Sequence, residues 1–399
     1  MRLTADSTVD LTYCTNIHAA DGWTAVRANI ARYGRALKAR LSPHAPMGIG
    51  LRLSAREATE LLGADRLEQF RSFLDDEGLY VAVINGFPYG PFHGTPVKAQ
   101  VYAPDWRDPA RADYTRDLVR ILTRLLPAGA DGGVSTAPIS YKAWMNWADE
   151  SAWIAVRRNI EDAVEAMYRA RETHGVHLHL DIEPEPDCVV ETTDEAIALF
   201  ADKLIPAMRP SLARRLGIGE DDAERALRDH VQICFDCCHV SVEHEDPLIA
   251  IERLTAAGIG IGRVQLSSAL RVAVPDSAAG LDAVEATLRP FADATYLHQV
   301  VCRRAGGLVH AADLDEAFAA RHAGEWRVHF HVPLFLREFG ALGSTQDDVA
   351  RVIGHARTHG FTRHLEIETY TWGVLPDGVK LDLADSIARE YEWVLGVLR

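Results

Sequence analysis

The feature that most constrains this chain is a repeated unit: a short β-branched run, a polar turn, then an amphipathic helical stretch. Strand-like runs stand at Leu11–Ile17, Met47–Leu53, Leu79–Asn85, Gly133–Ile139, Val176–Glu183, Val231–Asp236, Gly262–Leu266, Val328–Val332 and Leu365–Tyr370. Helical patterns lie between most of them. In Trp23–Arg40, Val26, Ile30, Tyr33 and Leu37 recur at three- and four-residue spacing, and Trp153–Thr173 repeats this with Val156, Ile160, Val164 and Met167. Thr192–Met208 opens with a Thr-x-x-Glu capping pattern from Thr192 to Glu195. Such alternation implies parallel strands covered by helices.

Open doubly wound sheets and closed barrels share that alternation, and polarity within the strands separates them. A parallel sheet covered on both faces reads as continuous Val, Ile and Leu. Here His177, His179, Asp181 and Glu183 alternate with Val176, Leu178, Leu180 and Ile182, and His329/His331 and Glu366/Glu368 repeat the spacing of two. Polar residues on one face of several parallel strands suit a (β/α)8 TIM barrel whose interior opens to a site. Nine strand-like runs exceed eight barrel positions. Residues 271–326 interrupt the unit and read as an insertion after the seventh strand, with Val328–Val332 an added or displaced strand. The expectation is one barrel domain over residues 1–399, with that insertion inside it.

The chain has 399 residues, 48% of them hydrophobic, which is ample for one large core. Its 42 Lys and Arg against 57 Asp and Glu give a net charge of −15, which disfavours nucleic-acid and anionic-membrane partners. The first residues lack the pattern of a signal peptide, and no run reaches the ~20 apolar residues of a membrane span. Six Cys are too sparse for a disulfide framework, so a reducing cytoplasm is expected. Cys234 and Cys237 are three apart and face opposite sides of a continuous strand, so buried structural Cys is the better reading. Gly258, Gly260 and Gly262 precede a strand instead of following one, the wrong context for a dinucleotide loop. Tyr141, Trp144, Trp147 and Trp153 suit either a substrate wall or a helix packed on the barrel top.

Glu183, Asp236, Gln265 and Glu368 stand at the C-terminal ends of late strands, and those ends converge on one rim of a barrel. Three carboxylates so placed require a cation or raised pKa values. Oxygen donors favour Mg²⁺ or Mn²⁺, while nearby imidazole admits Zn²⁺ or Co²⁺. The plainer alternative is that Glu366, Glu183 and Asp236 merely cap helices or pair with Arg. His329 and His331 point the same way on a strand and are candidates for metal or substrate contacts, with His331 nearer the strand's C-terminal end. His18, Asn85 and His93 follow early strands and are further candidates to line the pocket.

At these residues the chain resembles the xylose-isomerase-like TIM-barrel superfamily of sugar isomerases and epimerases. The matching fragments are Glu183-Pro184, Asp236 with His239, Gln265 and Glu368. The resemblance implies one divalent metal held by Glu183, Asp236, Gln265 and Glu368, with Gln265 in place of the commoner His, as in hydroxypyruvate-isomerase-like members. It implies proton transfer next to a carbonyl, with Glu183 and Glu368 as the exchanging pair and His239 orienting substrate or ligand. Longer fragments, Tyr13–His18, Asn85–Gly94, Tyr296–Val301, His329–Phe335 and Glu368–Pro376, are similar to the EboE family of metabolite-traffic proteins. The expectation is a metal-dependent isomerase or epimerase acting on a small polyhydroxylated, sugar- or cyclitol-type substrate in a biosynthesis or export pathway. A non-catalytic, metal-anchored metabolite-binding barrel and a metal-dependent hydrolase are the alternatives, and a homo-oligomer is left open.

Overall fold

The computed structural model describes residues 1, 9–94, 96–373, 375 and 382–399. Seven parallel strands run in chain order: β1 (Asp10–Tyr13), β2 (Met47–Arg52), β3 (Leu79–Asn85), β4 (Asp131–Thr136), β5 (His177–Ile182), β6 (Val231–Asp236) and β7 (Ile261–Leu266). A second group follows: β8 (Ser268–Val274), β9 (Val300–Arg304), β10 (Gly307–Ala311), β11 (Gly324–Val332), β12 (Glu338–Phe339) and β13 (Leu342–Ser344). The chain then returns as β14 (His364–Ile367). The first sheet has the order β1-β14-β7-β6-β5-β4-β3-β2. A parallel bridge between Cys14 and Gly50 joins β1 to β2 and closes the circle. The architecture is therefore the (β/α)8 barrel expected from the alternation, with an insertion after the seventh strand.

The helices form where the apolar spacing placed them. Trp23–Asn29 and Arg35–Leu41 flank a five-residue π-turn, and Val26, Ile30 and Leu37 are buried against the barrel. The helix Glu150–His174 buries Val156, Ile160, Val164 and Met167 and ends on Gly175, whose φ of 66° is left-handed. Thr192 and Glu195 form the capping box. No helix of the described residues is long and apolar enough to cross a membrane.

The barrel interior is polar at its middle, which is why the strands alternate. Arg263 on β7 bonds Asp181 on β5 at 3.2 Å and Glu366 on β14 at 3.1 Å. Its guanidinium also donates to the Ile84 and Gly133 carbonyls. All three side chains are fully buried. Space for them comes from missing side chains: a Cβ on Gly133 would lie 2.2 Å from Asp181 Oδ2, and one on Gly50 would overlap Glu366. The plainer alternative thus holds for Glu366, which pairs with Arg.

The added segment reaches beyond residues 271–326: its strands run from Ser268 to Ser344 and form a six-stranded antiparallel sheet of order β10-β9-β11-β8-β13-β12. The run Val328–Val332 is the end of β11, which pairs with β8 and β9. Only Ser267 separates β7 from β8, so the added sheet grows directly from the rim.

Candidate functional site

The rim residues are positioned by where the strands stop. Asp236 is the last residue of β6, Glu183 and Glu368 are the first residues beyond β5 and β14, and Gln265 sits beside Asp236 across the β6–β7 ladder. A cavity above them is lined by Asn85, Glu183, Glu185, His239, Glu368 and, from the insertion, His329 and His331. Asp236 and Gln265 are buried and do not themselves line it.

Asp236 uses one carboxylate oxygen structurally. Its Oδ1 accepts from the His239 amide at 3.0 Å, capping the helix Cys237–Val242, and from the Ser267 hydroxyl at 2.6 Å. The strand thus ends between Cys234 and Cys237, and all six cysteines are buried and free. Asp236 Oδ2 has no hydrogen-bond partner, and it stands 3.8 Å from His331 Nε2 and 3.9 Å from His239 Nε2.

The imidazoles are oriented by backbone carbonyls. His331 Nδ1 lies 2.7 Å from the Glu368 carbonyl, so it carries the hydrogen and leaves Nε2 with a lone pair. Nε2 is buried and unpartnered. His239 Nδ1 is held the same way by the Pro184 carbonyl at 2.8 Å, and its Nε2 meets His329 Nε2 at 3.1 Å. His329 Nδ1 is 2.8 Å from Gln299 Oε1. Burial, reinforced by His239 and His331, pushes His329 well below the usual imidazole range, and burial lowers His331 to about 4.

The carboxyls respond to burial and to one another. Burial, then Asp236 and Glu185, push Glu183 well above the usual carboxylate range. Glu368 is pushed up by burial, Glu183 and Asp236, while its Oε1 accepts from Asn16 at 2.8 Å and Asn85 at 3.1 Å. Asp236 is lowered: burial opposes this, but His239, His331 and Ser267 prevail. Glu183 Oε2 and both amide atoms of Gln265 have no partner.

Several site residues carried no residue-level signal in the sequence. Glu185 is raised to about 7, chiefly by burial, and accepts from the Tyr102 hydroxyl at 2.7 Å. Gln299 donates to Tyr102 and to the Pro186 carbonyl, which fixes its amide and hence the His329 ring. Tyr141 stacks on Tyr102 at 5.2 Å, whereas Trp153, in the first turn of the helix Glu150–His174, packs edge-on against Trp147.

His18 and His93 stand apart from this cluster. They line a neighbouring cavity with Tyr33, Tyr296, Tyr370 and Trp372. His18 stacks on Tyr33 at 4.2 Å and bonds Tyr13, while His93 bonds Tyr296 and the Asn16 carbonyl. Of the fragment Glu368–Pro376, Val374 and Pro376 lie outside the described residues.

No family model matches the chain, and no curated protein matches it. Among solved structures it is similar to the probable 3-DHS dehydratase AsbF, involved in petrobactin synthesis, from Bacillus anthracis. That likeness has 12% identity, covers 96% of this chain and 98% of the other, and has a TM-score of 0.44. It is similar to an IolI protein with a bound zinc atom at 11% identity, covering 98% of each chain, with a TM-score of 0.42. A xylose isomerase domain protein from Alicyclobacillus acidocaldarius subsp. acidocaldarius is 9% identical, with 97% of this chain and 99% of that chain covered and a TM-score of 0.43.

Proposed function

We propose that the rim holds one divalent cation and that the protein is a metal-dependent isomerase or epimerase. Its substrate would be a small polyhydroxylated, sugar- or cyclitol-type carbonyl compound. The observation that carries this reading is the Asp236 Oδ2–His331 Nε2 pair: two buried atoms 3.8 Å apart, neither with a hydrogen-bond partner. An unpartnered buried polar atom costs about 1–3 kcal/mol, and a cation between the two would satisfy both. Glu183 Oε2 and the Gln265 amide oxygen add two more buried, unpartnered oxygen ligand atoms to the set. Glu183, Asp236, Gln265, Glu368 and His331 would hold the ion. A mixed oxygen and imidazole set admits Zn²⁺, Co²⁺ and Mn²⁺ beside Mg²⁺.

When bound, such an ion polarises the substrate carbonyl and lowers the cost of charge on its oxygen. The chain's own groups do the rest. Glu183 and Glu368 approach the cavity from β5 and β14, on separate walls. One carboxylate takes the proton from the carbon next to the carbonyl, and the other carboxyl returns a proton to the same or the adjacent carbon. Before an ion arrives, burial and neighbouring carboxylates hold both above the usual carboxylate range. Asn16 and Asn85 fix the Glu368 carboxyl, and His239, anchored by Pro184, orients a substrate hydroxyl. The similarity of the long fragments to EboE-type proteins supports a place in metabolite biosynthesis or export within the cytoplasm.

The test is solvent exchange. Metal-loaded protein in D₂O is expected to incorporate deuterium next to the carbonyl of ketoses or keto-cyclitols, read by proton NMR, and Glu183→Gln to abolish it. Full metal occupancy and ligand binding without exchange would leave a metabolite-binding barrel in place of an enzyme. Hydrolytic products would favour metal-dependent hydrolysis.

A further inference from the structure

The barrel's opposite end carries a second cluster of metal-ligating side chains. Asp131 opens β4, His177 and His179 stand two apart at the start of β5, and His364 opens β14. β14 and β4 are not neighbours: β7, β6 and β5 lie between them. His364 therefore reaches Asp131 across the barrel's lower mouth. Its Nε2 is 2.9 Å from Asp131 Oδ1, His179 Nε2 is 3.3 Å from the same oxygen, and His177 Nδ1 is 2.6 Å from Asp131 Oδ2.

We propose that this cluster is a second, independent divalent-metal site of zinc type, built from Asp131, His179 and His364, with His177 completing the set. Around a zinc ion with bonds of ~2.1 Å, tetrahedral ligand atoms stand about 3.4 Å apart. The donor atoms of Asp131, His179 and His364 all lie within 4.8 Å of one another, so small side-chain adjustments admit the ion. Three imidazoles and one carboxylate form a set that favours zinc-like ions over Mg²⁺ or Ca²⁺.

The surroundings match what a metal-binding imidazole requires. The other nitrogen of His179, Nδ1, is 2.5 Å from Asp181 Oδ1, and Asp181 is held in turn by Arg263. A carboxylate behind the ligand imidazole orients the ring and raises its basicity. Room for that ring is specified in the sequence of two strands. A Cβ on Gly133 would stand 2.4 Å from His179 Cε1, and one on Gly262 would stand 2.5 Å from Nδ1. His179 and His364 are buried. Entry is open: a cavity of about 420 Å³, bounded by Gly129, Gln232, Gly260 and Thr362, reaches Asp131, His177 and His179. A water occupies ~30 Å³, so the cavity has room for a hydrated ion.

Metal stoichiometry decides the matter. The 399-residue chain, stripped with chelator and dialysed against ZnSO₄, is expected to hold two equivalents by mass spectrometry of the metal. The rim variant Asp236→Asn/His331→Gln is expected to keep one, and the floor variant Asp131→Asn/His364→Gln to lose one. If the rim binds nothing, wild type and rim variant both hold one equivalent, so failure of the rim reading leaves this one standing. A rim variant with no bound zinc overturns the proposal and leaves a hydrogen-bonded imidazole network. Should the floor variant fail to fold, Co²⁺ added to the rim variant decides. Visible absorption with imidazole character is expected, and an aqua-ion spectrum overturns the site.

Discussion

Arg263 on β7 and Glu366 on β14 form an ion pair at 3.1 Å at the centre of the barrel, and neither side chain has any exposed surface. Asp181 completes the group from β5. Removing one partner of such a pair strands a buried charge. Arg263→Met is therefore expected to destabilise the fold by about 3–5 kcal/mol, read as a lower midpoint in urea unfolding. A midpoint within ~0.5 kcal/mol of wild type would show that the triad is not what holds the interior together.

The same interior depends on absent side chains. Gly133→Ala places a Cβ 2.2 Å from Asp181 Oδ2, and the expected cost is roughly 1–3 kcal/mol. Gly354, within the helix Gln346–His359, has nothing within 4 Å of its hypothetical Cβ, so Gly354→Ala is expected to stabilise by about 0.5–1 kcal/mol. Opposite signs in parallel thermal melts check the argument; equal signs refute it.

Glu390 links the segment that follows β11 to the segment that follows β14. Its Oε1 accepts from the Leu334 amide at 3.0 Å and the Thr369 hydroxyl at 2.6 Å, and burial pushes it up to about 8. A carboxyl raised in the folded state favours folding while protonated. Its contribution is complete below the unfolded value near ~4.3 and is lost as pH rises through about 8. Glu390→Gln keeps the acceptor without the charge. The melting temperature of the variant is expected to fall less than that of wild type between pH 5 and pH 9, and identical profiles would contradict this origin.

Cation binding at the rim is expected to be linked to protons. Burial and neighbouring carboxylates raise Glu183 and Glu368, so both bind protons more tightly than ordinary carboxyls before an ion arrives. An ion requires the deprotonated form. Affinity should thus rise with pH and be lost as pH falls through the raised values. Calorimetry in two buffers of different ionisation enthalpy would detect the released protons; no buffer dependence would count against the rim site.

Asp236→Asn tests the Asp236–His331 pair itself. The amide keeps the Oδ1 contacts to the His239 amide and Ser267 but places a neutral group opposite His331 Nε2. Metal affinity at the rim is expected to drop at least 100-fold, measured by competition with a chromogenic chelator, with little change in the melt. Unchanged affinity would remove Asp236 from the ligand set.

What the chain's own order determined was local and periodic. A period of two in His177–Glu183 placed His179 and Asp181 in the barrel interior and left Glu183 at the rim, because successive strand residues face opposite sides. The ends of β6 and β14 located Asp236 and Glu368 for the same reason. Pairings far apart in sequence had no such signal. His331 meets Asp236 only because the insertion's sheet springs from Ser268 and returns β11 over the rim. Glu185, Tyr102, Gln299 and His329 join only once four separate segments converge. His364 finds Asp131 across 233 residues because the barrel closes. Strand period is written in neighbouring residues, whereas the facing of two side chains depends on closure and docking, which no spacing along the chain encodes.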